Sequence, residues 1–230
     1  MQVERLLYQK EEECPICGTK FMSARVRHSK LHKKCNDTDF LMHYEENFYP
    51  FFYDVTICSE CGYAAFESIF RQIGHKEKEK VKEELKKVRW GGRIPLERSL
   101  STAELVYKMG IYTAQAKNEK ASVMAQLCHR LAWVYRIMGN IEEENKFLEH
   151  AVRFYEMAAE RERIQNEAKQ FYLIGELNRM LGKEERAVKW LQIVIMDRSL
   201  PENNVIKEMA RQSWEKVRAK AKQNNHTFSP

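Results

Sequence analysis

The sequence predicts a mainly α protein in which antiparallel helical hairpins follow a small β module at the N-terminus. Three observations predict it. From Ser99 onward, apolar side chains recur at helical spacing almost without a break. In the first third, two C-x-x-C-G turns stand 40 residues apart. The 230-residue chain is 31% charged, 43% hydrophobic and 11% aromatic, with only nine Gly and five Pro, a composition that leans to helix. That aromatic content supports a sizeable core and excludes disorder over most of the length. No stretch approaches ~18 consecutive apolar residues, so no membrane span is expected. The opening residues Met1 to Arg5 lack the basic-then-apolar plan of a signal peptide. The chain therefore reads as cytoplasmic.

Residues 1–65 form the cysteine module. Cys14-Pro15-Ile16-Cys17-Gly18 and Cys58-Ser59-Glu60-Cys61-Gly62 repeat one pattern. In a reducing compartment such pairs are metal ligands or redox centres more often than disulfides. A thiolate pair on a tight turn wraps a metal, and the next residue needs φ > 0, which Gly supplies without steric cost. Together the pairs predict a closed, structural zinc site with Cys14, Cys17, Cys58 and Cys61 as ligands. The gap exceeds the usual spacing of about 15–20 residues, which is tolerable because loop-closure cost grows slowly with length. A redox role fits less well. A thioredoxin-type pair belongs to a βαβ context, whereas Cys14 follows Glu11-Glu12-Glu13, acids that raise a thiol pKa. Cys128, between Leu127 and Leu131, reads as helix core. Cys35, with His28 and His32 spaced i, i+4, admits a second metal site, although exposed polar histidines are the simpler reading. The alternation of Tyr53, Val55 and Ile57 with Asp54 and Thr56 predicts a half-buried strand leading into Cys58. Lys20 to Val26 is its expected partner in a zinc-ribbon-like unit, where metal replaces a core too small to stand alone.

Residues 66–98 read as a charged helix and linker. From Gly74 to Arg89, seven Lys/Arg and four Glu are interleaved, as on a solvated helix with i, i+4 pairs. Trp90-Gly91-Gly92-Arg93-Ile94-Pro95 then breaks it. The helical domain spans 99–222, opening on a capping box at Ser101-Thr102-Ala103-Glu104. One stripe carries Met124, Leu127, Cys128, Leu131, Val134, Tyr135 and Met138, ending at Gly139. The next carries Phe147, Leu148, Ala151, Val152, Tyr155 and Ala158. A third carries Phe171, Ile174, Gly175, Asn178 and Leu181, ending at Gly182. Ala187, Val188, Leu191, Val194 and Ile195 follow, and a last helix carries Val205, Met209, Ala210, Ser213, Trp214 and Val217. Residues 223–230 read as a flexible tail.

Two of these segments align. Leu131-Ala132, Tyr135, Gly139 and Ala151 stand at the spacings of Ile174-Gly175, Asn178, Gly182 and Val194. Small residues at helix crossings and Gly at the turn resemble the tetratricopeptide (TPR) repeat, which predicts TPR-like antiparallel helical hairpins. The offset is 43 residues, against about 34 in that repeat. At the small position of the second helix, Ala187 fits and Glu144 does not. The segment Ala103 to Ala116 is a candidate part of a preceding degenerate hairpin. An ordinary antiparallel bundle would show the same stripes.

The N-terminal third resembles an uncharacterised bacterial family, domain of unknown function 2225. The residues that carry the resemblance are Cys14-Pro15-Ile16-Cys17-Gly18, Phe21, Val26-Arg27, Ser29-Lys30, Asp37, Asp39-Phe40, Tyr44, Asn47, Pro50, Tyr53, Val55, Cys58 and Cys61-Gly62-Tyr63-Ala64. The resemblance implies a zinc module joined to C-terminal TPR-like helices; it implies no activity. Asp37 and Asp39, at i, i+2, would suit cation binding or acid–base work. Side chains so spaced do not face each other on a helix, and no nucleophile accompanies them. They read instead as the N-cap of a helix starting near Phe40, or as partners of the preceding basic run.

The expected function is a non-enzymatic, zinc-binding adaptor whose helical surface takes a protein or peptide partner. Four thiolates leave a hydrolytic zinc no open position, and no P-loop, dinucleotide fingerprint, nucleophile elbow or HExxH motif occurs. The alternative is nucleic-acid binding through Lys20, Arg25, Arg27, Lys30, Lys33 and Lys34, a run without an acid. Against it, residues 1–61 hold eight Lys/Arg and ten Asp/Glu.

Overall fold

The structure, a computed structural model, describes the backbone of residues 5–226 and the side chains up to residue 220. Three two-stranded antiparallel sheets precede seven α-helices among these residues, so the protein is mainly α.

Strand β1 (Leu7–Glu13) pairs with β2 (Lys20–Val26), with Leu7 opposite Val26 and Glu13 opposite Lys20. The first cysteine pair is the turn between them. Strands β3 (Lys33–Asn36) and β4 (Met42–Tyr44) form a second hairpin with residues 37–41 at its tip. Strand β5 (Val55–Ile57) pairs with β6 (Ala64–Phe66) around the second cysteine pair. Lys20–Val26 therefore does not pair with the strand leading into Cys58, contrary to expectation. Each knuckle is closed by its own hairpin, whose short loop costs less closure entropy than a ribbon assembled across 40 residues. Tyr53 lies in a 3-10 turn, Pro50–Tyr53, and outside the strand. All three β5 residues are buried, because the strand packs beneath helix α2 (Leu100–Lys117) instead of facing water on one side.

Helix α1 (His75–Lys86) is the charged helix, and it is not wholly solvated: Val81 and Leu85 are buried. Its ion pairs are i, i+3, Lys86–Glu83 and Lys87–Glu84, both at 2.6 Å. Helix α2 starts earlier than the expected capping box. Ser99 is its N-cap, and the Thr102 N–H donates to Ser99 Oγ at 3.1 Å. Helices α3 (Ala121–Met138) and α4 (Ile141–Arg161) form one hairpin. Helices α5 (Glu167–Met180) and α6 (Glu184–Met196) form another, and α7 (Val205–His226) packs on both α5 and α6. The turns fall where the stripes ended. Gly139 has φ 74° and Gly182 has φ 71°, left-handed positions that close each first helix. Gly175 allows α6 to approach, since a Cβ there would lie 2.8 Å from Leu191 Cγ. Residues 227–230 of the expected tail lie outside the described residues.

One hydrophobic cluster runs from Leu7 and Phe21 through Phe51, Val55 and Tyr63 into Val106 and Tyr107 of α2 and Leu127 and Leu131 of α3. The segment between α1 and α2 is tied to the module rather than free. Trp90 Nε1 donates to the Ser59 carbonyl at 2.7 Å, and Arg98 Nη1 donates to the Val55 carbonyl at 2.9 Å. Two further clusters join α3, α4 and α5, then α5, α6 and α7. Among the described residues no helix is long and apolar enough to cross a membrane.

Candidate functional site

The two knuckles repeat one local geometry. Gly18 N–H donates to the Cys14 carbonyl at 2.9 Å, and Gly62 N–H donates to the Cys58 carbonyl at 3.1 Å. Cys14 N–H donates to Thr19 at 3.0 Å, and Cys58 N–H to Tyr63 at 2.9 Å. Both glycines have φ 75°, the conformation the C-x-x-C-G pattern requires. In the first knuckle the Ile16 N–H also points at Cys14 Sγ, 3.4 Å away.

These turns bring Cys14, Cys17, Cys58 and Cys61 together, with all four sulfurs within 4.8 Å of one another. Cys14 and Cys61 are 3.6 Å apart, and Cys17 and Cys58 are 3.7 Å apart. A disulfide needs about 2.05 Å, and all six cysteines are free thiols. A tetrahedron with metal–sulfur bonds of about 2.3 Å has sulfur–sulfur edges of about 3.8 Å, so the donor set fits a tetrahedral metal. The four thiols also perturb one another. Contact with Cys58 raises Cys14 to about 12, and contact with Cys14 and then Cys58 raises Cys61 further. Hydrogen bonds from Cys14 and Cys61 pull Cys58 down to about 2. Thiolates packed this closely repel one another, and a cation among them would relieve that repulsion.

Of the other candidate ligands, Cys35 is exposed on β3. His28 sits in a 3-10 turn, His28–Lys30, and His32 lies beyond it, so the expected helix face does not form. The exposed His32 Nδ1 lies 2.6 Å from Glu46 Oε1, which raises its pKa. Among the described residues, only the four cysteines form a metal-ligating group.

The Asp37–Phe40 element caps no helix. It is the tip of the β3–β4 hairpin, where Phe40 takes φ 71° and its N–H donates to the Asp37 carbonyl at 3.0 Å. The tip is pushed against the helices. Asp39 is fully buried and accepts from Trp133 Nε1 at 2.8 Å and Arg136 Nη2 at 2.8 Å, with His129 Nε2 at 3.2 Å. Arg136 also reaches Asp37 at 2.9 Å and Glu144 at 2.7 Å. Thr38 donates to Glu176, and its carbonyl accepts from Tyr172 at 2.7 Å. Burial alone would raise the Asp39 carboxyl, but hydrogen bonds from His129 and Arg136 outweigh it and hold the group well below the usual range. The partners are thus α3 and α5, not the preceding basic run. Glu144, the misfit of the repeat alignment, is there to meet Arg136. His129, Trp133, Arg136 and Glu176 carried no motif in the sequence; the one signal was charge at positions on apolar stripes.

The basic run divides. Arg25 is buried and donates to Glu12 at 3.1 Å, Arg27 reaches the Leu7 carbonyl at 3.2 Å, and Lys20 pairs with Glu11 at 3.7 Å. Half of the six cations therefore serve the β1–β2 hairpin itself.

Fold and site define a protein of helical hairpins headed by a four-cysteine cluster able to hold a metal. The chain belongs to the bacterial family described as "Uncharacterized protein conserved in bacteria (DUF2225)", which it matches over residues 7–217. No curated protein and no solved structure matches it.

Proposed function

We propose that the protein is a non-enzymatic cytoplasmic adaptor, in which a structural zinc on Cys14, Cys17, Cys58 and Cys61 fixes the module and TPR-like hairpins bind a protein or peptide partner. The observation that carries this reading is the convergence of four cysteine sulfurs within 4.8 Å of one another. Four thiolates complete the zinc shell, so the metal has no position for water or substrate and acts on folding alone. The partner surface we favour is the α6–α7 end, where Ile193, Met196 and Val205 are 42, 72 and 70% exposed. The inner face of α3 and α5 is already filled by the chain's own Asp37–Phe40 tip. An unstacked end of a helical array is apolar where the next repeat would sit.

The test compares wild type with Ile193→Glu/Met196→Glu, both zinc-loaded, in quantitative capture from native lysate with and without nuclease. The partner is then purified and its binding reconstituted. Loss of a stoichiometric, nuclease-insensitive protein from the variant, repeated with purified components, is expected. Identical partner sets for the two proteins would sink the proposed surface, and a nuclease-sensitive set would make nucleic acid the ligand.

A further inference from the structure

A large cavity lies away from the cysteines, beside the Asp37–Phe40 tip. It measures about 730 Å3 and opens between the start of α3, the α4–α5 connection and the start of α5. That volume falls in the range of small-molecule sites, which favour junctions between structural units. Its lining has an unusual charge balance. Lys120, Arg161, Arg163 and Lys169 all face it, and none of them forms an ion pair among the described residues. A fifth cation, Arg130, is committed to Asp54 at 2.7 Å. Of the lining acids, Asp39 alone is paired with a cation. Asp39 is held by Arg136 and Trp133, and Glu162 accepts from the Ser122 N–H at 3.1 Å. Four exposed cations thus line one cavity against one lining carboxylate, Glu162, that no cation pairs, an excess of positive charge that favours an anion.

The backbone adds to this field. Helices α3 and α5 both begin at the cavity, and their N-terminal dipoles favour negative charge. Glu162, seated on the first turn of α3, already shows an anion answering that field. Aromatic surface lies beside the cations. Phe40 lines the cavity with Lys169 Nζ 4.6 Å from its ring centre, and Trp133 lies deeper. Flat rings of this kind stack against another ring. The wall is set in advance, since Gln170 Nε2 donates to the Tyr155 carbonyl at 2.7 Å and Asp39 anchors Trp133.

We propose that this cavity binds a nucleotide: a planar base against Phe40, with two or more phosphates among Lys120, Arg161, Arg163 and Lys169. An acidic peptide would satisfy the charge, but aromatic surface next to cations at an open cavity of about 730 Å3 matches a compact ring–phosphate molecule better. The site is independent of the partner surface at α6–α7.

The test is calorimetric titration of the full-length, metal-loaded protein with ATP, GTP, CTP and UTP, and with pyrophosphate and the four nucleosides as fragments. At least one nucleotide is expected to bind at submillimolar concentration, about tenfold or more tighter than pyrophosphate or its own nucleoside. Arg161→Glu/Arg163→Glu should weaken it by about tenfold or more at unchanged metal content and melting temperature. Lys169→Gln, a milder change, should weaken it in the same direction. No binding by any of the four at about 1 mM would overturn the proposal. So would pyrophosphate binding as tightly as the nucleotide, variants that bind like wild type, or an acidic peptide that displaces the nucleotide and binds more tightly.

Discussion

Gly18 and Gly62 occupy equivalent places in the two knuckles and share φ 75°, yet their surroundings differ. A Cβ on Gly18 would meet nothing within 4 Å, whereas a Cβ on Gly62 would lie 2.9 Å from Trp90 Cδ2 and 3.1 Å from Met109 Cε. Gly18→Ala should therefore cost only the left-handed penalty, about 1–2 kcal/mol. Gly62→Ala adds a clash with a ring that holds the linker, for a further 1–3 kcal/mol or so. Paired denaturant melts of the two zinc-loaded variants measure the difference; equal losses would mean that Trp90 does not pack on the second knuckle. Asp39 sets a second comparison. Asp39→Ala leaves Arg136, His129 and Trp133 without their shared acceptor, at a cost of about 3–5 kcal/mol. A melt within 1 kcal/mol or so of wild type would show that the tip is not seated on α3.

At the scale of elements, the helices and the cysteine pairs were legible in the sequence because their signals are local. Stripes at 3.6-residue spacing ended at Gly139 and Gly182, which are the left-handed turns of the two hairpins. The strands were harder to place. Lys20–Val26 was visible as a strand, but its partner, Leu7–Glu13, hides behind an acidic surface with only Leu7 and Glu12 buried. The Asp37–Phe40 tip was misread because its chemistry is long-range. Asp39 and Arg136 are 97 residues apart, and nothing near Asp39 announces a guanidinium. Glu144 was visible only as an exception to a repeat, and its cause, the Arg136 contact at 2.7 Å, needed the folded chain. The metal candidates were legible because spacing alone encodes them; the decoys Cys35, His28 and His32 carried no comparable constraint.

Across the whole molecule, the module and the helices share one hydrophobic cluster and one buried polar network, so changes in either spread to both. Acid stability is one readout. Burial holds His129 below its ordinary pKa, so the unfolded chain takes up a proton there first, below about pH 6.5. Asp39 is depressed in the folded state, so its contribution is present above about pH 4 and fades as the pH falls through the folded value. Both signs make stability fall on acidification, starting near pH 6.5. Denaturant midpoints from pH 7.5 to 5, with metal content followed in parallel, should decline while the metal is still bound. A flat profile until metal is lost would contradict the network's role.

Four thiolates closing around one zinc form the proposed centre of the N-terminal module. Native mass spectrometry of the full-length protein tests it directly. The expected mass is the reduced chain plus one zinc less two protons, the charge that Zn2+ replaces, with the zinc lost on Cys58→Ser. A metal-free chain lighter by two protons would reveal a disulfide in place of the metal site, a mass fitting iron would reassign the metal, and a bare reduced chain would remove it.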